Sequence, residues 1–204
     1  RLQDFFLSSI ERGKGERKGM SRKKGSWWRN LRRVPLFLGG VYLVLSANPT
    51  PRGTGFGLAL IALGEAWRVW GTGHLRKNED LAVTGPYAHV KNPLYLGSIL
   101  ISVGFCILAD QIDLLALLTL MFCLHYIPYK KKVEGDRLRR IFGDRYEDYD
   151  EKVPDYLPRW SPYSEQKAAW RLDCFWKNNE VWIILLVSLG VLLILSRSLW
   201  RPLL

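Results

Sequence analysis

A chain of 204 residues that is 48% hydrophobic, holds 9 Trp and carries a formal net charge of +11 is long enough for one domain, and its charge favours attraction to anionic lipid headgroups. Its apolar residues are gathered in blocks, which argues against an ordinary water-soluble core, and its basic residues border those blocks, which argues against a nucleic-acid face. Cys106, Cys123 and Cys174 are too scattered for a disulfide framework or a metal-binding spacing.

In chain order, residues 1–33 read as a basic tail and membrane-surface segment, with Phe5, Phe6, Leu7 and Ile10 as its few apolar positions and no signal-peptide core. Five apolar blocks follow, about Val34 to Ala47, Gly55 to Trp70, Leu94 to Ala109, Ile112 to Ile127 and Val181 to Leu195. Crossing ~30 Å of hydrocarbon takes about 20 helical residues, so each block needs its interfacial flanks to span. Trp27, Trp28, Trp67, Trp70, Tyr126, Tyr129, Trp182 and Trp200 supply such aromatic flanks. Lys and Arg concentrate before the first block, in the second loop (Arg76, Lys77, Lys91) and after the fourth block (Lys130, Lys131, Lys132), which places those regions and the amino terminus in the cytoplasm and the carboxyl terminus opposite. The expected fold is therefore all-α, a polytopic membrane protein with about five transmembrane helices and a cytoplasmic helical segment between the fourth and fifth. Glu65 and Arg68, costly in lipid, should face the bundle and pair with one another or touch substrate.

Two polar segments interrupt this pattern. The first, Gly85-Pro-Tyr-Ala-His-Val-Lys-Asn-Pro-Leu-Tyr-Leu-Gly97, breaks an incoming helix at Gly85-Pro86 and opens the next one at Pro93. The second, from Lys130 to Pro154, reads as a helix stopped at Gly143 and a short helix from Asp144 with Tyr146 and Tyr149 on one side; Glu134 and Arg137 share a face at i and i+3. Beyond it, Trp170, Leu172, Phe175 and Trp176 suggest an interfacial helix leading into the last span. Gly53-Thr-Gly-Phe-Gly57 opens an apolar block without a preceding strand, so it reads as helix packing rather than a nucleotide loop.

The first segment, paired with the later Glu-x-x-x-Leu-x-x-x-Phe-Gly-x-x-Tyr-x-x-Tyr-x-x-x-Val-Pro, resembles the isoprenylcysteine carboxyl methyltransferase and phospholipid methyltransferase superfamily over about residues 34–160. The resemblance implies an integral membrane enzyme that uses S-adenosylmethionine in a cytosol-facing pocket built from both motifs. It divides the chain into the tail, a methyltransferase-like core over 34–160, and an interfacial and final transmembrane segment over 161–204. The family's Arg-His-Pro is here Lys91-Asn92-Pro93, which keeps a charge but removes an imidazole, and its paired glutamates are Glu134-Gly135.

Against a cationic sulfonium cofactor, the resemblance sets His74, Leu81, Tyr87, Lys91, Asn92, Tyr95 and Glu134 as cofactor-contacting residues. Glu134 would take the amino group or ribose, the two tyrosines would wall the adenine or the transfer path, and backbone groups near Leu81 and Asn92 would meet adenine edges. Lys130 or Arg137 would position an anionic acceptor as the catalytic cation. A carboxylate is already ionised at neutral pH, whereas an ammonium needs a base, for which His74, His89 and Glu134 are the candidates. The function expected is S-adenosylmethionine-dependent methylation of the carboxylate or thiol of a lipid-like or prenylated molecule, with membrane lipids, anionic headgroups included, as partners and no nucleic acid. A phospholipid N-methyltransferase and a non-catalytic membrane or assembly subunit are the alternatives, and the sequence leaves the oligomeric state open.

Overall fold

The computed structural model describes residues 34–76, 80–121, 127–165 and 168–197; side chains at 34–37, 118, 121 and 127–132 lie outside that description. The expectations for the tail, Lys77, Cys123, His125, Tyr126 and Trp200 fall outside the described residues. Among those residues all regular structure is helical: α1 (Val34–Ser46), α2 (Pro51–Thr72), a 3₁₀ turn (Gly85–Ala88), α3 (Pro93–Leu108), α4 (Ile112–Met121), α5 (Ile127–Phe142), α6 (Asp144–Lys152), α7 (Leu172–Lys177) and α8 (Glu180–Leu195). The chain divides into two compact units, one ending at Leu45 and one beginning at Ser46.

The five expected blocks coincide with α1, α2, α3, α4 and α8. Within the described residues they run for 13, 22, 16, 10 and 16 residues, with α1 and α4 each bordering residues outside the description. The long one, α2, carries Arg52, Glu65 and Arg68. Among the described residues no helix is long and apolar enough to cross a membrane.

Helix α2 begins where Thr50 accepts a hydrogen bond from the Gly53 amide at 3.1 Å and Pro51 occupies the first turn, which needs no amide donor. It packs on α3 through glycines in antiparallel register. A Cβ on Gly57 would stand 2.7 Å from the Gly104 carbonyl oxygen, and one on Gly64 2.6 Å from that of Gly97, with the same distances in reverse. The two backbones are thus in contact, the arrangement small residues allow between helices. Of the Gly53-Thr-Gly-Phe-Gly57 segment, read from sequence as helix packing, Gly53 and Gly57 belong to this seam and Gly55 does not.

Helix α5 ends at Phe142 because Gly143 adopts φ +53°, and α6 runs back from Asp144. That reversal buries Tyr146 and Tyr149 against Leu81 and Val153, with Leu138 and Phe142 packed beside them. The polar segment between blocks is therefore a small core of its own, as the spacing of its two tyrosines suggests.

Candidate active site

Gly85 makes the first wall possible. It sits at φ +59°, and a Cβ there would stand 2.6 Å from the His74 ring, so both conformation and space select glycine. Pro86 follows in the first turn of the 3₁₀ segment, Tyr87 is 7% exposed, and Asn92 leaves the helical region at φ −128°, ψ 60° before Pro93 opens α3.

Residues 149–163 clamp that turn. The Tyr149 hydroxyl donates to the Tyr87 carbonyl at 2.8 Å. The amides of Lys91, Arg159 and Tyr163 donate to the carbonyls of Pro154, His89 and Ala88 at 2.9, 2.9 and 2.8 Å. Lys91 Nζ donates to Asp150 Oδ1 at 2.6 Å and to the Asp150 carbonyl at 2.7 Å, with Asp155 at 3.3 Å, and the Asn92 amide donates to the Asp155 carbonyl at 3.3 Å. Burial works against the Asp150 carboxylate, but the Lys91 hydrogen bond and charge outweigh it and hold the carboxyl below its ordinary range. Where the family's arginine and histidine stand, this chain uses Lys91 and Asn92 to fasten the turn to α6 and the segment after it.

Between the turn and α5 lies a cavity of about 600 Å³, within the range of small-molecule sites. It is lined by Leu81, Tyr87, Lys91 and Asn92 from the segment before α3, by Glu134, Arg137 and Leu138 from α5, by Tyr146 and Asp150 from α6, and by Tyr156 beyond it. Six of the sequence-selected residues, Leu81, Tyr87, Lys91, Asn92, Glu134 and Arg137, are therefore brought together. Burial, then the Glu134 charge, pushes the Tyr87 phenol up, so Tyr87 stays a neutral hydrogen-bond donor at any ordinary pH. Tyr156 is raised by burial, Asp155 and Glu134 in that order, which places its ring in the same acidic field. A Cβ at Gly135 would meet only the Tyr146 hydroxyl, at 3.7 Å, so this glycine leaves space that a second acid would fill.

Other expected members stand elsewhere. Tyr95 lies in the first turn of α3, outside the cavity lining. His74 packs against Gly85, its Nδ1 is buried without a hydrogen-bond partner among the described residues, and burial lowers its pKa. Lys130 falls in α5 with its side chain outside the description. No histidine is among the described lining residues. His89 instead holds the clamp, its Nδ1 2.9 Å from the Arg159 carbonyl.

Arg68 corrects the expected pairing within α2. Its guanidinium grips Glu180, the first residue of α8, through Nε–Oε1 at 2.7 Å and Nη2–Oε2 at 3.0 Å, and Nη1 reaches the Leu94 carbonyl and Ser98. Reach explains the choice: the bidentate fork matches a facing carboxylate on another helix better than Glu65 on its own. Both Glu65 oxygens are buried without a hydrogen-bond partner among the described residues. Sequence reasoning also passed over Asp150, Asp155 and Tyr156, although Asp150 directly follows the Tyr-x-x-Tyr spacing.

Among the described residues, no group of three or more His, Cys, Asp or Glu is placed to hold a metal ion. The chain is 28% identical over 152 residues, 72% of its length and 70% of the relative's, to the nickel-cobalt-cadmium resistance protein NccN of Alcaligenes xylosoxydans xylosoxydans. It is 28% identical over 134 residues to the cobalt-zinc-cadmium resistance protein CzcN of Cupriavidus metallidurans, covering 63% of this chain and 61% of that one. No solved structure matches it. Residues 54–145, which hold the Gly57–Gly104 and Gly64–Gly97 contacts, the Tyr87 turn and the Glu134 face, match the model of the phospholipid methyltransferase family, a family of the isoprenylcysteine carboxyl methyltransferase and phospholipid methyltransferase superfamily.

Proposed function

We propose that this chain is a membrane-embedded, S-adenosylmethionine-dependent methyltransferase acting on a lipid-like acceptor. The observation that supports the reading is the cavity itself: Tyr87 and Glu134 both line a space of about 600 Å³, and both fall within the residues that match the phospholipid methyltransferase family. The lining suits the cofactor's parts. Glu134 offers a carboxylate to the amino group or ribose hydroxyls, Leu81 and Leu138 an apolar slot for the adenine, and Arg137 a cation for a carboxylate. Bound S-adenosylmethionine would supply an electrophilic methyl group. The chain's contribution is alignment and exclusion of water, both served by a wall fixed through many hydrogen bonds.

A carboxylate or thiol acceptor fits better than an ammonium, because the described lining contains no histidine to take up a proton. Membrane placement is supported by apolar side chains turned outward on α4 and α8, among them Ile112 at 77% and Leu186 at 69% exposure. The cavity and the basic borders would face the cytoplasm. The resistance functions printed for the two relatives would then depend on a modified membrane component; that link is part of the proposal. Transfer of radiolabelled methyl from S-adenosylmethionine to total membrane lipid tests the reading. Label released as methanol by mild alkali identifies a carboxyl ester; alkali-stable label in aminophospholipid identifies the N-methyltransferase alternative, and no incorporation with any lipid supports a non-catalytic subunit.

A further inference from the structure

A second cleft, of about 190 Å³, opens beside the cavity between the segment after α2 and helix α7. Leu75 and Arg76 line both spaces, and Arg171, Asp173, Lys177 and Asn178 complete this one. Its polar groups are unequally committed. Arg171 holds Asp173 through two bonds of 2.9 and 2.8 Å, so those charges cancel locally. The Asn178 amide donates to the carbonyls of Thr72, Leu75 and Cys174 at 3.2, 3.1 and 2.9 Å, and the Arg171 amide donates to the Gly73 carbonyl at 3.0 Å. The carbonyl end of α2, which would otherwise present negative potential, is thereby covered. Arg76 and Lys177 are left with no ion pair among the described residues, giving the cleft a positive balance over a rigid floor.

The surroundings indicate the source of an anion. Trp170, Phe175 and Trp176 form a contiguous aromatic cluster with ring centroids 5.9 and 6.0 Å apart. Trp170 is pinned by its indole donating to the Val69 carbonyl at 2.9 Å, while Leu172 and Trp176 stay 57% and 59% exposed. Exposed aromatic and aliphatic side chains next to basic ones are the chemistry of the headgroup and acyl boundary. We propose that the Arg76–Lys177 cleft binds the phosphate of an anionic phospholipid, whose chains lie over Leu172 and Trp176 and whose headgroup sits at the rim of the methyl-transfer cavity. This rests on the membrane placement proposed above.

The test is native mass spectrometry of the full chain in detergent, titrated with phosphatidylglycerol or phosphatidylcholine of equal chain length. Phosphatidylglycerol should be retained in preference; Lys177→Gln should weaken that retention about fivefold, Lys177→Arg should preserve it, and excess inorganic phosphate should not displace it. Equal retention of the two lipids, a preference that survives Lys177→Gln, or displacement by inorganic phosphate would overturn the proposal, the last by assigning a soluble phosphate compound instead. Lys177 lies outside the cofactor cavity, and S-adenosylmethionine binding is measured separately, so failure here leaves the methyltransferase reading standing. Loss of all association with phosphatidylcholine vesicles would instead count against the membrane placement.

Discussion

At the residue scale, the turn from Gly85 to Asn92 owes its shape to partners distant in sequence. Lys91 makes three polar contacts to Asp150 and Asp155, and removing it leaves the partly buried Asp150 with the half-exposed Arg139, at 3.3 Å, as its remaining described cation. Lys91→Ala should lower unfolding free energy by about 1.5–3 kcal/mol, and Lys91→Arg should recover part of it in denaturant titration. If both variants unfold like the parent, the clamp contributes nothing. His74 gives a pH signature. Because burial holds its folded pKa below the ordinary value of about 6.5, the unfolded chain takes up the proton first on acidification. Stability from this group is complete above that value and declines as the pH falls below it. His74→Asn should flatten this part of the stability profile, as read by thermal unfolding at neutral and mildly acidic pH; an unchanged slope would show that His74 is not its source. The placement of Tyr87 on the turn was legible from its position beside Gly-Pro, but the commitment of Lys91 to Asp150 was not, since no spacing links positions 59 residues apart.

At the element scale, the α2–α3 seam depends on hydrogen atoms where side chains would be. Gly64→Val should push a methyl-bearing carbon into the Gly97 carbonyl, 2.6 Å from its Cβ, and separate the helices. Destabilisation of about 1–3 kcal/mol is expected, and since the lining residues Leu75 to Asn92 lie on the segment that joins the two helices, cofactor affinity should fall with it. The equivalent change at Gly55, where nothing lies within 4 Å of an added Cβ, should be mild; comparable losses at both positions would contradict the seam. The helices themselves were readable from apolar blocks, Pro93 and Gly143. Which glycines meet which was not, because register between helices is set by packing of both surfaces together, and Gly57 and Gly104 look no different in sequence from Gly55 or Gly190.

At the scale of the whole molecule, the Arg68–Glu180 pair fastens α8 to the α2–α3 layer, with Glu180 only 1% exposed. Truncating either partner should cost about 3–5 kcal/mol by stranding the other charge, whereas replacing both with apolar residues should cost far less. A double variant as unstable as the sum of the singles would remove the pair from the account. Sequence pattern exposed the all-helical class and both walls of the cavity. It offered Arg68 the neighbouring Glu65 or substrate as partners and missed Glu180, because a pair at i and i+3 is visible along a helix while a partner 112 residues away is not.

The central claim is that the space between Tyr87 and Glu134 receives S-adenosylmethionine, and isothermal titration of the purified chain in detergent addresses it directly. The parent should bind, Glu134→Ala should weaken binding at least about tenfold through loss of a charge-assisted hydrogen bond, and Tyr87→Phe should weaken it less. Absence of binding, or equal affinity in the parent and Glu134→Ala, would contradict the account.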